Sequence, residues 1–242
     1  MATKSQLDTT PLPLKTVITI DGTEYSIDAS PIPYLASFVD FESKARPDAT
    51  TLVHGPIPLF PVALKGVESG YRHCFRGIPA DISQYHILCE TYQFLGVDVL
   101  DGQGLDEISA NLKAGKPNYE LEYASYEEIR GDKSKARNAA FKLLYLMLLG
   151  EFRDEKRDAA KVFNAVLFVV SHSATFKRGT RTSVQLAYED RFVITEKQAA
   201  MLNKWADKSN KENSHMEDDS TTEEEDSTGF SSDGYDYDWD LD

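Results

Sequence analysis

Residues 81–100 read DISQYHILCETYQFLGVDVL, and within them Tyr85, Leu88, Cys89, Tyr92 and Leu95 recur at spacings of three and four. That period puts all five on one face of an α-helix, and a face so apolar has to be buried. Asp81 or Ser83 supplies the oxygen that accepts from the helix's first unpaired amides, and Gly96 is its natural stop. Val97, Val99 and Leu100 then make a short apolar anchor.

Upstream, Val17, Ile18 and Ile20 run into Asp21-Gly22, and Tyr25 and Ile27 follow. Asp-Gly between two short apolar runs predicts a β-hairpin, because both turn positions need positive φ. Ser30-Pro31 opens a helix that Pro33 delays, so the pattern predicts helix over 34–41, with Tyr34, Leu35, Phe38 and Phe41 as its apolar face. A loop over 44–50, a short third strand over 51–54 and three prolines lead to a helix that buries Phe60, Ala63, Leu64 and Val67. Gly66, Gly70 and Gly77 with Pro79 make 71–80 irregular or briefly extended, and Ile108 and Leu112 predict a short closing helix.

Downstream, 113–118 contains Gly115 and Pro117 and reads as a boundary, beyond which the pattern is wholly helical. Ser134 is the expected cap of a helix that carries Ala136, Ala140, Leu143, Leu144 and Met147 up to Gly150. The next, over about 158–171, is apolar on most sides and is expected to be fully buried. Two more follow over 184–191 and 195–208, the second opened by a Thr195/Gln198 capping box. The expected organisation is thus a disordered N-terminus (1–13), an α+β domain (14–112), a helical domain (119–208) and a disordered acidic tail (209–242).

The chain has a net charge of −14, yet 216–242 holds twelve acidic residues and no lysine or arginine, so the first 215 residues sit near −2. A nearly neutral body with an anionic tail does not attract phosphate backbones, which argues against direct nucleic-acid binding. The apolar runs 139–149 and 162–170 are each interrupted by a polar residue and fall short of the roughly 20 residues that cross a bilayer. No signal-peptide core is visible at the N-terminus, and Cys74 and Cys89 are too few for a disulfide framework. Cytosol or nucleus is the expected location, without membrane association. In the tail, Phe230, Tyr235, Tyr237 and Trp239 alternate with aspartates, a composition that marks either a segment that docks on protein partners or a tail that only solubilises.

Candidate chemistry is sparse. His73, Cys74, His86 and Cys89 have the residue types of a zinc site, but adjacent His73 and Cys74 would have to converge on one ion and Cys89 belongs to the apolar stripe. A Cys-His nucleophile from the same set lacks a marked orienting group and oxyanion site. Gly102-Gln103-Gly104 is followed by Leu105 and Asp106, which does not make a phosphate cradle. Neither metal, cofactor nor catalytic residues are expected. The one concentrated basic cluster of the helical half, Lys177, Arg178 and Arg181, reads first as a solvated loop, with an acidic partner or the chain's own tail as the alternatives.

The succession VITIDGTEYSI (17–27), SPIPYLASFVDF (30–41), LFPVALKGVESGY (59–71) and the 85–100 helix resembles the BTB/POZ fold, in particular divergent fungal BTB-like proteins of similar length. In that family a β-hairpin leads to a helix of Ser-x-Tyr-Phe type, then a helical hairpin, then a helix ending in a short apolar anchor. The likeness covers about 14–112. Only Asp28 and Ala29 stand where typical members carry a longer stretch with a His-Lys pair, so their charged groove is not implied. The resemblance implies association with proteins through the 34–41 and 59–67 helices, as a homodimer first or as an adaptor to a cullin ubiquitin ligase, with no catalytic residues. The alternatives are a nuclear regulator that recruits transcription partners through its acidic-aromatic tail and, third, a small zinc protein or hydrolase.

Overall fold

The computed structural model describes residues 15–47, 51–113, 132–152 and 155–213. The expected disordered N-terminus (1–13) and residues 214–242 of the expected disordered acidic tail, with Phe230, Tyr235, Tyr237 and Trp239, lie outside the described residues.

β1 (Thr16–Ile20) and β2 (Thr23–Ile27) pair antiparallel, from Thr16 opposite Ile27 to Ile20 opposite Thr23. Asp21 and Gly22 between them take φ of 50° and 77°, the left-handed pair whose twist matches that of the strands. α1 (Pro33–Ala45) starts at Pro33 itself, one residue before the expected position. A proline in the first helical turn gives up an N–H that has no intrahelical partner anyway. The helix also outlasts Phe41, supported by the Asp40–Lys44 pair at 2.7 Å one turn apart.

The chain then returns as β3 (Leu52–His54), parallel to β1 with Ile18 opposite Leu52, and completes a sheet in the order β2-β1-β3. Parallel neighbours need a crossover, and α1 provides it. α2 (Phe60–Ser69) buries Phe60, Ala63, Leu64 and Gly66, while Val67 is only partly buried. The stretch expected to be irregular is instead a 3₁₀ turn (Tyr71–His73) running into α3 (Cys74–Gly77), so Gly77 ends a helix and does not prevent one.

α4 (Ile82–Leu95) follows the opening motif closely. Asp81 Oδ1 accepts the Ser83 N–H at 3.0 Å, Gly96 closes the helix at φ 69°, and all five stripe residues are buried. The Asp98 carboxylate pins the next turn by accepting the N–H groups of Asp101 and Gly102 at 2.9 and 3.1 Å. α5 (Leu105–Leu112) then buries Ile108 and Leu112.

α6 (Lys133–Leu149) is capped by Asp132, whose Oδ1 accepts the Lys135 N–H at 2.9 Å; Ser134, the expected cap, already sits inside the first turn. α7 (Glu155–Ser171) is buried from Ala165 to Ser171, but Asn164 is exposed and Phe163 only partly covered, so its first half is not enclosed as expected. α8 (Arg178–Arg191) begins six residues before the expected start, because the polar RGTRTS segment continues the helix. α9 (Glu196–Asn213) opens on the Thr195/Gln198 box, with Gln198 N–H donating to Thr195 Oγ1 at 3.3 Å and Thr195 N–H to Gln198 Oε1 at 3.0 Å. It passes Lys208 and takes in residues 209–213, expected to begin the disordered tail, since no glycine or proline interrupts it there.

The architecture is α+β and mostly helical, with a small sheet at the N-terminal end of the chain. Most of the expected boundary at 113–118 lies outside the described residues, but the parts on either side of it share one core. Phe141 of α6 is 0% exposed and meets Tyr71 at 5.6 Å, Phe75 at 5.7 Å and Tyr92 at 6.0 Å between ring centroids. Lys161 of α7 reaches Asp106 of α5 at 2.6 Å across the surface.

Candidate functional site

The four residues with metal-ligand chemistry go separate ways. Cys74 and Cys89 are both buried. Cys74 Sγ lies 3.3 Å from the Tyr92 hydroxyl, which itself donates to the Ala63 carbonyl at 3.1 Å. His86 Nε2 lies 3.2 Å from Asp190 Oδ2, a half-exposed pair that links α4 to α8 and contributes little to stability. His73 sits in the 3₁₀ turn, its backbone N–H donating to Gly70 O at 3.1 Å. Among the described residues no group of three or more His, Cys, Asp or Glu is placed to hold a metal ion.

Burial pushes the Cys74 thiol up to about 12 and raises the Cys89 thiol as well. The thiolate is the reacting species, so both sulfurs are unreactive at neutral pH. With Ellman's reagent at pH 8, neither thiol is expected to react on the minute scale in the native protein, and both should react in denaturant. Fast release of one equivalent from the native protein would show an accessible, activated cysteine instead.

The surface residues expected on the 34–41 helix are divided by the fold. Leu35 is 0% exposed and packs inward, so it belongs to the core and not to a contact surface. α2 likewise turns Phe60, Ala63 and Leu64 inward and presents mainly Pro61, Lys65 and Glu68 to solvent, so it offers little apolar surface. Tyr34, Phe38 and Phe41 follow one another at helical spacing on the other face of α1, and Phe41 is 65% exposed.

This face is built from three elements. The Tyr34 ring lies 4.4 Å from that of Phe94 on α4, and its hydroxyl donates to His54 Nε2 at 2.7 Å. His54 Nδ1–H in turn donates to the Gly55 carbonyl at 2.8 Å, which fixes the imidazole so that Phe38 meets it edge-on at 5.0 Å. The result is an aromatic strip, Phe94–Tyr34–Phe38–Phe41, held rigid at its centre and open at both ends, where Phe94 is 50% exposed. Sequence reasoning missed Phe94 and His54. Phe94 carried a signal, being a large apolar residue off the buried stripe of α4; His54 carried none.

Among the described residues no helix is long and apolar enough to cross a membrane. No family model, curated protein or solved structure matches the chain.

Proposed function

We propose that the chain is a non-catalytic protein–protein association module of BTB/POZ-like type, which pairs with a second copy of itself through the aromatic strip. The observation that carries this reading is the strip itself. Two phenylalanines stand largely in water on a rigid base, and large exposed aromatics on a pre-ordered surface are the residues that dominate interfaces. The order of elements supports it: a hairpin, α1 carrying Tyr34 and Phe38, α2, then α4 ending in the buried anchor of Val97 and Val99. Self-pairing is favoured over the adaptor branch of the resemblance because a strip without charged side chains can meet its own copy about a two-fold axis with no like charges opposed.

Light scattering of the full chain at tens of micromolar is expected to give a dimer. F41E/F94E places charges at both open ends of the strip, on side chains that are 65% and 50% exposed, so it should yield a monomer that keeps the helical circular-dichroism signal of the wild type and melts lower only by the lost dimer linkage and the Tyr34–Phe94 contact. A monomeric wild type at that concentration, or a variant that still dimerises, would refute the assignment.

A further inference from the structure

Away from the aromatic strip, a cavity of about 170 Å³ is lined by Arg72, Arg76, Arg137 and Lys177, with Phe75 and Thr180. Four elements converge to make it. Arg72 comes from the 3₁₀ turn, Arg76 from α3, Arg137 from α6, and Lys177 immediately precedes α8. Arg137 is held in place by donating from Nε to the Thr175 carbonyl at 2.8 Å, and the backbone of Arg72 by its N–H on Asn138 Oδ1 at 2.9 Å. Partial burial, with the neighbouring charges of Arg76 and Arg72, holds the Arg137 guanidinium below its ordinary value. Among the described residues no carboxylate pairs with any of the four cations. α8 also begins here without a side-chain cap, so its first amides add partial positive charge. Arg181 of the expected basic cluster is not part of the lining cations; it is buried, and its Nη1 donates to the Val170 carbonyl at 3.3 Å.

Four cations gathered around one cavity call for an anion, and the chain carries a concentrated source of them. We propose that this cavity is an anion-binding site and that its occupant is the chain's own acidic segment, residues 217–242. That segment has twelve carboxylates and no lysine or arginine. Its point of departure is favourable. Gln198 meets Tyr188 at 3.4 Å and Gln185 meets Asn203 at 3.3 Å, so α9 runs back along α8 toward the end that borders the cavity. At a rise of about 1.5 Å per residue, α9 continues about 15 Å beyond Asn203, whereas α8 needs only about 10 Å from Gln185 to its first turn. The first carboxylate, Glu217, follows the end of α9 by four residues, about 13 Å of extended chain. The acidic segment therefore starts within reach of the cavity, and the link is intramolecular, with the high effective concentration that this confers.

A zero-length carbodiimide couples a lysine amine to a carboxylate only when the two are in contact, which makes Lys177 the reporter. The full chain, as an equal mixture of ¹⁵N-labelled and unlabelled protein, is cross-linked in about 50 mM salt and the joined peptides are identified by mass spectrometry. Lys177 is expected to couple to carboxylates of 217–242 several-fold more than exposed Lys44 and Lys197 do, within single chains. The yield should drop several-fold in about 0.5 M salt, where the Debye length has shortened. It should drop similarly in R76Q, whose exposed side chain can be neutralised without disturbing the core and which leaves Lys177 intact. Equal coupling at all three lysines, an unchanged yield in R76Q, or links joining labelled to unlabelled chains would each overturn the proposal.

Discussion

Replacing Phe141 with alanine is expected to lower the unfolding free energy by about 3–5 kcal/mol and to do so for the whole described fold at once. Phe141 is completely buried, so the loss includes both the transfer of a large ring and the cavity left behind. Its location sets the breadth of the effect. The ring comes from α6, but the rings it touches, Tyr71, Phe75 and Tyr92, belong to the 3₁₀ turn, α3 and α4, on the other side of residues 114–131. Removing it therefore weakens the contact through which the two parts of the chain share a core. Thermal unfolding should show a single transition in the wild type and a single transition in F141A, lowered by on the order of 10 °C. A variant in which one transition stays at the wild-type temperature while a second moves would mean that residues before 113 and after 132 unfold as independent units.

That shared core also marks what sequence could and could not convey. The period of α4, the Asp-Gly turn and the Thr195/Gln198 box are local arrangements in which a few neighbouring residues suffice to define the geometry, and each stands in the fold as read. Leu35 was less legible. It lies one position from Tyr34 on the same short helix, and whether a helix covered on one side buries one or the other depends on where the sheet and α4 fall around it. The strip needed three segments to be seen together: Tyr34 and Phe38 from α1, His54 from β3, Phe94 from α4. The basic cavity is the extreme case, because Arg72 and Lys177 are separated by more than a hundred residues and only tertiary packing makes them neighbours. Within the sequence Lys177 was visible only beside Arg178 and Arg181, and the fold turns Arg181 into the core.

α2 packs closely against α3 and α4, and one residue permits that closeness. Gly66 lies in the last turns of α2, and a Cβ built there would run into the hydroxyl of Tyr92 while also approaching Cys74 Sγ to 3.0 Å and Tyr92 Cζ to 3.3 Å. The hydroxyl cannot easily move aside. It terminates a rigid ring that is fully buried, and it is anchored by donating to the Ala63 carbonyl and by contact with Cys74. G66A is therefore expected to destabilise by about 2–3 kcal/mol, the strain of overpacking outweighing the roughly 1 kcal/mol that alanine gains over glycine within a helix. Y92F, which deletes the hydroxyl and its hydrogen bond, should cost about 1 kcal/mol alone. The decisive measurement is the double variant. If the clash is with the hydroxyl, G66A/Y92F must be more stable than the sum of the two single losses predicts, by an amount that remains partial because the approaches to Cζ and Sγ persist. Denaturant titration of the four proteins reads this coupling directly. Strict additivity would show that α2 yields to the added methyl by shifting bodily away from α4, which makes the helix spacing, and not the Tyr92 hydroxyl, the soft element of the core.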